Sequence, residues 1–255
     1  VYRVDLPDKT ALVAKVADGT GVSLEPESYM LRYLKENSSL PVPAVIHSAD
    51  TLLLMEFLEG DSHFTENAER HAAELLAALH GIRSDYFGFE RDTLIGGLHQ
   101  PNPQYDSWID FFRDQRLCYM TGEAVRGGRL RGHFLDRLER FGAHLSDWLS
   151  EPEQPALIHG DAWTTNILAL GNHVTGFLDP AISYAHPEIE LAFITLFNTF
   201  GAAFFRRYNE LQPIAPGFFE TRRDIYNLYP LLVHVRLFGG GYVASIDAIL
   251  RRFGF

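Results

Sequence analysis

Residues 157–166 read Leu157-Ile158-His159-Gly160-Asp161-Ala162-Trp163-Thr164-Thr165-Asn166, and Phe177-Leu178-Asp179-Pro180 follows shortly after. An Asp, an Asn and a second Asp in this order are what phosphoryl transfer needs. Asp161 is the candidate base, placed to orient a hydroxyl and take its proton. Asn166 and Asp179 are candidate ligands for the magnesium ions that bridge nucleotide phosphates. Each residue alone is ordinary, because Asp caps helices and Asn or Asp-Pro makes turns. The specific signal is the combination HxDxxxxN with a later apolar-apolar-Asp. Apolar runs at 156–158 and 174–178 bracket the set and predict short buried strands, a rigid mounting for a site. His159 is expected to brace the loop within the core rather than to act as a base. Trp163, between base and metal ligand, is either a lid over core residues or a wall of the substrate site.

Working outward, lysine is rare: Lys9, Lys15 and Lys35 are the only ones, all near the start. Lys15 lies in Leu12-Val13-Ala14-Lys15-Val16, where period two puts Val13, Lys15 and Ala17 on one face. Such a lysine faces solvent or a ligand cavity. A strand lysine followed by a helix carrying a suitable Glu is how protein kinases align nucleotide phosphates. Glu27 is the expected partner and Glu25 the competitor. Glu56, Phe57 and Leu58 close the last strand before a linker and are the expected hinge, where main-chain groups hydrogen-bond adenine.

Val1 to Leu6 and Ala11 to Ala17 read as strands about a Pro7-Asp8-Lys9-Thr10 turn. Glu25-Pro26-Glu27 opens a helix that Pro41-Val42-Pro43 stops. Ala44 to His47 and Leu52 to Phe57 read as two further strands. Helical patterns follow at Glu66 to His80, Trp108 to Met120, Phe134 to Leu149, Pro187 to Phe200, Ala202 to Leu211, Phe219 to Tyr229 and Leu231 to Phe238. Tyr86 to Ser107, rich in Gly, Pro, Asn and Gln, reads as an ordered loop. Strands first and helices after imply an α+β chain with two lobes, a small antiparallel sheet over 1–58 and a large helical part over 59–255.

The chain has 255 residues, 46% hydrophobic and 22% charged, with a formal net charge of −11. An acidic surface argues against nucleic acid or an anionic membrane as partner. No apolar run reaches the ~20 residues of a membrane span, and no signal-peptide pattern opens the chain. The single cysteine, Cys118, forms no internal disulfide and fits a cytoplasmic protein as a small apolar residue. Oligomeric state leaves no mark in the sequence.

His159-Gly-Asp-Ala-Trp-Thr-Thr-Asn166, Leu178-Asp-Pro-Ala181 and Tyr184-Ala-His-Pro-Glu-Ile-Glu-Leu-Ala192 resemble the fructosamine kinase (ketosamine kinase) family, within the aminoglycoside and choline kinase superfamily. The likeness extends over Phe87-Gly-Phe89, Ile95-Gly96, Trp108 to Leu117, Leu196-Phe197, Tyr226 to Tyr229 and His234 to Gly239. It implies a protein-kinase-like fold that binds ATP and Mg2+ between lobes. It implies phosphorylation of the 3-hydroxyl of a ketosamine, free or on a glycated lysine of a protein, which amounts to deglycation. Asp161 is then the base, Asn166 and Asp179 the metal ligands, and Lys15 with Glu27 the phosphate aligners. Trp163 and His186 fall on the substrate side, with Glu188 nearby. The alternatives are another aminoglycoside-, choline- or homoserine-type kinase, or a nucleotide-binding pseudokinase. Two departures stand out: Ala162-Trp-Thr-Thr replaces the common Leu-Trp-Ser-Gly, and Glu190 stands where the family has Asp. The family's first strand and phosphate loop are expected upstream of Val1.

Overall fold

A computed structural model describes residues 1–255 apart from Asp18, Thr20 and Val22. The Pro7-Asp8 turn forms as its residues dictate. Lys9 takes a left-handed φ of 71°, and the Asp8 carboxylate accepts the Thr10 N–H at 2.9 Å. It joins β1 (Tyr2–Asp5) to β2 (Ala11–Val16). Then come α1 (Glu25–Asn37), β3 (Val45–Ala49) and β4 (Leu52–Glu56). The sheet order is β1-β2-β4-β3, antiparallel throughout, with Lys15 opposite Leu53. In α1 the buried residues include Glu27, Met30, Leu31 and Leu34. That is one stripe at helical spacing, and its first member is a carboxylate turned toward the sheet.

The remainder is mainly helical: α2 (Glu66–Leu79), α3 (Trp108–Phe111), α4 (Tyr119–Arg126), α5 (His133–Gly142), α6 (Glu188–Leu196), α7 (Ala202–Leu211), α8 (Arg223–Phe238) and α9 (Tyr242–Arg252). Three two-stranded sheets are set among them: β5 (Thr93–Ile95) with β6 (Leu98–Gln100), β7 (Ala156–Ile158) with β10 (Ser183–Ala185), and β8 (Ile167–Leu170) with β9 (His173–Phe177). The core runs through Leu76, Trp108, Phe111, Phe112, Phe141, Phe204 and Tyr226, all with no exposure. Among the described residues no helix is long and apolar enough to cross a membrane.

Several sequence expectations need correction. The stretch 86–107 is not wholly loop: Gly96 and Gly97, at φ 55° and 80°, turn the β5–β6 hairpin. Two consecutive left-handed residues are the hairpin signal that the loop-like composition hid. The helix at Trp108 continues to Arg126 through π-helical turns over Phe112–Cys118. The widened turns coincide with Arg116, which is 2% exposed and bonds the Pro101 carbonyl at 2.8 Å and Asn102 at 2.6 Å. The expected helix 134–149 stops at Gly142 and gives way to a 3-10 turn over Leu145–Asp147. The two helices expected on either side of Pro230 are one, α8, entered through a π turn at Phe218–Arg222. An internal proline costs ~3 kcal/mol. Here Ile225 to Val235 are buried without a break, so tertiary packing outweighs that cost.

Candidate active site

Pairing of β7 with β10, Ile158 opposite Ser183, sets two loops side by side. One is His159-Gly160-Asp161 and the other Asp179-Pro180-Ala181. The Ala181 N–H donates to the His159 carbonyl at 2.8 Å. Gly160 has φ +83°, and a Cβ there would lie 2.1 Å from the Ala181 carbonyl oxygen. Only glycine fits this approach. The loop is held from below by Glu190 on α6, which is 2% exposed. Its carboxylate accepts the Gly160 N–H at 2.6 Å, the His159 N–H at 3.2 Å and His80 Nε2 at 2.8 Å. Burial opposes the charge on Glu190, but His80 and these amides hold its pKa below the usual glutamate value. His159, fully buried, accepts the Asp161 N–H on Nδ1 at 3.3 Å, and burial keeps its pKa low. It braces the loop, as expected from sequence.

Asn166 ends a 3-10 turn and precedes β8. Its Nδ2 donates to Asp161 Oδ2 at 2.8 Å and to the Asp161 carbonyl at 3.1 Å. The Leu178 N–H donates to the Asn166 carbonyl at 2.8 Å, which brings Asp179 beside both. Asp179 itself sits at φ 51°, a left-handed conformation that Asp tolerates better than most residues. The Asp161 carboxyl is pushed up to about 7, first by burial and then by the charge of Asp179, against the Asn166 hydrogen bond.

Lys15 crosses to this group from the sheet. Its Nζ lies 2.7 Å from Glu27 Oε2 and 3.0 Å from Asp179 Oδ1. Glu25, the alternative partner, forks onto Arg91 instead, at 2.7 and 3.0 Å. Burial disfavours the Lys15 ammonium, yet Asp179 and Glu27 hold its pKa above the usual lysine value. Burial and Asp179 push the Glu27 carboxyl up to about 7, against the pull of Lys15. Two carboxylates therefore share one ammonium, and a third, Asp161, lies close enough to feel Asp179.

The segment after β4 is pinned to the β8–β9 hairpin, which lies between Asn166 and Asp179. Asp61 and Ala169 exchange main-chain bonds at 2.8 and 3.0 Å, and Thr175 Oγ1 donates to the Glu59 carbonyl at 2.6 Å. Leu58 packs so closely on Gly176 that a Cβ there would lie 2.5 Å from Leu58 Cδ1. Among the described residues, Leu58 uses neither main-chain N–H nor C=O in a hydrogen bond. Glu56 is occupied: its Oε2 accepts the Ala44 N–H at 3.1 Å. Phe57 lies under the Arg3 guanidinium, 4.5 Å from the ring centre.

Trp163 is half-buried, its ring 5.1 Å from Phe197 and 6.0 Å from His234. His186 lies elsewhere. Its Nδ1 accepts the Glu188 N–H at 3.1 Å, and its ring packs on Tyr226 at 5.8 Å and Trp108 at 6.2 Å. Burial and then the Arg222 charge drive its pKa down to about 3. Its polar contact is thus with the start of α6, not with Asp161. Glu188 receives a two-pronged Arg222 at 2.6 and 2.7 Å. Sequence reasoning gave no role to His80, and it counted Gln100 and Tyr229 only among the residues that carry the family resemblance. Tyr229 donates to Gln100 Oε1 at 2.6 Å, and Gln100 Nε2 reaches the Ala181 carbonyl at 3.0 Å, so this pair supports the Asp179 loop.

The sequence profile of the family described as fructosamine kinase matches residues 14–253. A probable ketoamine kinase of Synechocystis is 38% identical over 212 residues, which cover 81% of this chain and 68% of that one. The crystal structure of a putative fructosamine-3-kinase from Thermobifida fusca superposes with a TM-score of 0.88 at 32% identity, covering 98% of this chain and 88% of the other. An aminoglycoside phosphotransferase superposes with a TM-score of 0.68 at 17% identity, covering 99% and 90%. That last likeness speaks to fold alone, and the fold is the protein-kinase-like one.

Proposed function

The chain belongs to the fructosamine kinase family, and from that premise we propose that it transfers the γ-phosphoryl group of ATP to the 3-hydroxyl of a ketosamine through Asp161, Asn166, Asp179, Lys15 and Glu27. The observation that carries this reading is Lys15 bridging Glu27 and Asp179 beside the Asp161–Asn166 pair. The division into an N-terminal part over 1–58 and a C-terminal part over 59–255 goes with it.

Asp161 works as the base. Asn166 occupies Oδ2, and among the described residues Oδ1 has no partner, so Oδ1 is open to a substrate hydroxyl. A carboxyl displaced to about 7 is matched to proton transfer near neutral pH. Lys15, steered by two carboxylates, aligns the phosphates. Main-chain groups of Phe57 and Leu58 take adenine, with Glu56 holding the strand end to Ala44. Trp163 forms one wall of the acceptor site.

The residues fit magnesium. Glu27 and Asp179 share a single ammonium with Asp161 nearby, and burial together with the charge of Asp179 raises the Glu27 and Asp161 carboxyls. Among the described residues no set of three His, Cys, Asp or Glu converges as a ready cage. Magnesium instead uses one or two protein oxygens and completes its shell with phosphate and water. Asn166, with Nδ2 committed to Asp161, offers Oδ1, and Asp179 offers a carboxylate oxygen. Bound there, the ion would supply positive charge against the charge that develops on the transferred phosphate.

Ketosamines on protein lysines belong with the free ones as acceptors, since their protonated amine suits a chain of net charge −11. The working compartment in this reading is the cytoplasm. ATP consumption on fructosyl- and ribulosyl-lysine, free and protein-bound, tests the proposal. Turnover on an aminoglycoside with none on either ketosamine overturns it.

A further inference from the structure

His80 caps α2 with no exposure, and both of its ring nitrogens are engaged. Nε2 is 2.8 Å from Glu190 Oε2, and Nδ1 is 2.7 Å from the Tyr208 hydroxyl on α7. A neutral imidazole satisfies both contacts in one arrangement: Tyr208 O–H donates to Nδ1, and Nε2–H donates to Glu190. Tyr208 is 2% exposed, so the row Tyr208–His80–Glu190 is sealed from water. Among the described residues, His80 is the one basic side chain within ion-pair distance of Glu190. Glu190 in turn carries the amides of His159 and Gly160, the two residues before Asp161.

We propose that His80 is a positioning residue for phosphoryl transfer, with Tyr208 as its support. The argument is geometric and rests on the reaction proposed above. Oε2 of Glu190 is shared between His80 and the His159 N–H, while Oε1 serves Gly160 alone. Without a donor at Nε2 the carboxylate is free to rotate, and a rotation disturbs both amide contacts together. A buried carboxylate that loses one of three donors is also left under-satisfied. The displacement then reaches Asp161 and leaves the nucleotide contacts of Lys15 and the hinge in place. Misplacement of a reacting group by ~1 Å costs on the order of a hundredfold in rate.

The test compares His80→Gln, His80→Leu and Tyr208→Phe in the full chain. Gln reaches Glu190 with an N–H from about the Nε2 position, and Leu cannot. Expected are kcat within about threefold of the unmodified protein for Gln, a loss of at least about tenfold for Leu, and a loss of a few-fold for Tyr208→Phe. KM for ATP stays within about twofold in all three. Hydrogen exchange of the peptide spanning 157–162 speeds up in Leu and Tyr208→Phe but not in Gln. Unchanged kcat and exchange in folded His80→Leu overturn the inference. So does an equal loss in Gln and Leu, or a rise in KM for ATP that parallels the loss of kcat. If His80→Leu does not fold, Tyr208→Phe decides by the same two readouts. An unmodified protein inactive on every ketosamine counts against the proposed reaction, and the exchange comparison then decides the role of His80 by itself.

Discussion

Gly160→Ala is the sharpest test of how the catalytic loop is mounted. The new Cβ would lie 2.1 Å from the Ala181 carbonyl oxygen and 2.8 Å from its carbon. Both obstacles are backbone, so neither moves aside as a side chain would. To reach even 3.0 Å, the Asp179–Ala181 loop and the His159–Asp161 loop must part by 0.9 Å. The φ of +83° adds a left-handed penalty of about 1–2 kcal/mol for a residue with a Cβ. The separation also strains the Ala181 N–H bond to the His159 carbonyl, now 2.8 Å, whose loss costs about 1 kcal/mol. Together these predict about 3 kcal/mol of destabilisation, or roughly 6–12 °C in Tm for a chain of this size. The catalytic effect should exceed what stability alone implies. A parting of this size moves Asp161 relative to Asp179, which predicts roughly a hundredfold loss of kcat at a temperature where the variant is folded. Gly171→Ala is the control: its φ is +60°, and nothing lies within 4 Å of its added Cβ. It carries the backbone penalty without the clash and should leave kcat unchanged. Thermal unfolding and ATP consumption on the two variants decide the matter. If Gly160→Ala behaves like Gly171→Ala in both assays, the close mounting of the two loops does not set the geometry of the base.

Asp161→Ala should fold, bind nucleotide, and lose at least about a hundredfold in turnover, about 2.7 kcal/mol of barrier; undiminished turnover removes Asp161 from the base role. Asp161→Asn tests its displaced carboxyl by stability. The folded pKa of about 7 lies above the ordinary aspartate value of 3.8, so the fold favours the protonated form; this contribution is full below pH ~3.8 and is lost as pH rises through about 7. The amide variant should therefore unfold at a higher Tm than the parent at pH 8 and at the same Tm near pH 4; equal Tm values at both pH values refute the shift. Asp179→Asn should raise the magnesium needed for half-maximal rate by at least about tenfold, and a titration curve that does not move denies Asp179 the metal. Lys15→Met should lower kcat/KM for ATP by at least about tenfold, because among the described residues only Lys15 links Glu27 to Asp179; a rate within twofold of the parent contradicts that.

The convergence of the candidate site residues was legible because their proposed chemistry is tied to spacing. Asp161 and Asn166 are five residues apart in one loop and hydrogen-bond each other. Glu27 was separable from Glu25 in principle, since only Glu27 falls on the stripe with Met30, Leu31 and Leu34. His186 shows the limit. A local motif placed it on the substrate side, but its ring packs on Trp108 and Tyr226, from distant parts of the chain. His80 carried no signal at all, because its contacts are with Glu190 and Tyr208, 110 and 128 residues away. Pro230 misled for a related reason: its local cost is real, and the burial that outweighs it comes from other helices.

The glutamate at 190 reads differently once its partners are known. In the sequence it looked like a charge extended by one methylene, liable to shift any bond it made. In the fold its carboxylate reaches two amides at 2.6 and 3.2 Å, and the third donor comes from His80 rather than from the loop. A shorter Asp placed here would have to give up the amides or the imidazole, since the carboxylate cannot reach both sides. Glu190→Asp should therefore be damaging despite its conserved charge. Its loss of kcat should resemble that of His80→Leu and should not be additive with it in the double variant, because both break the same three-centre arrangement. Additive losses would mean that His80 and Glu190 act on the loop by separate routes.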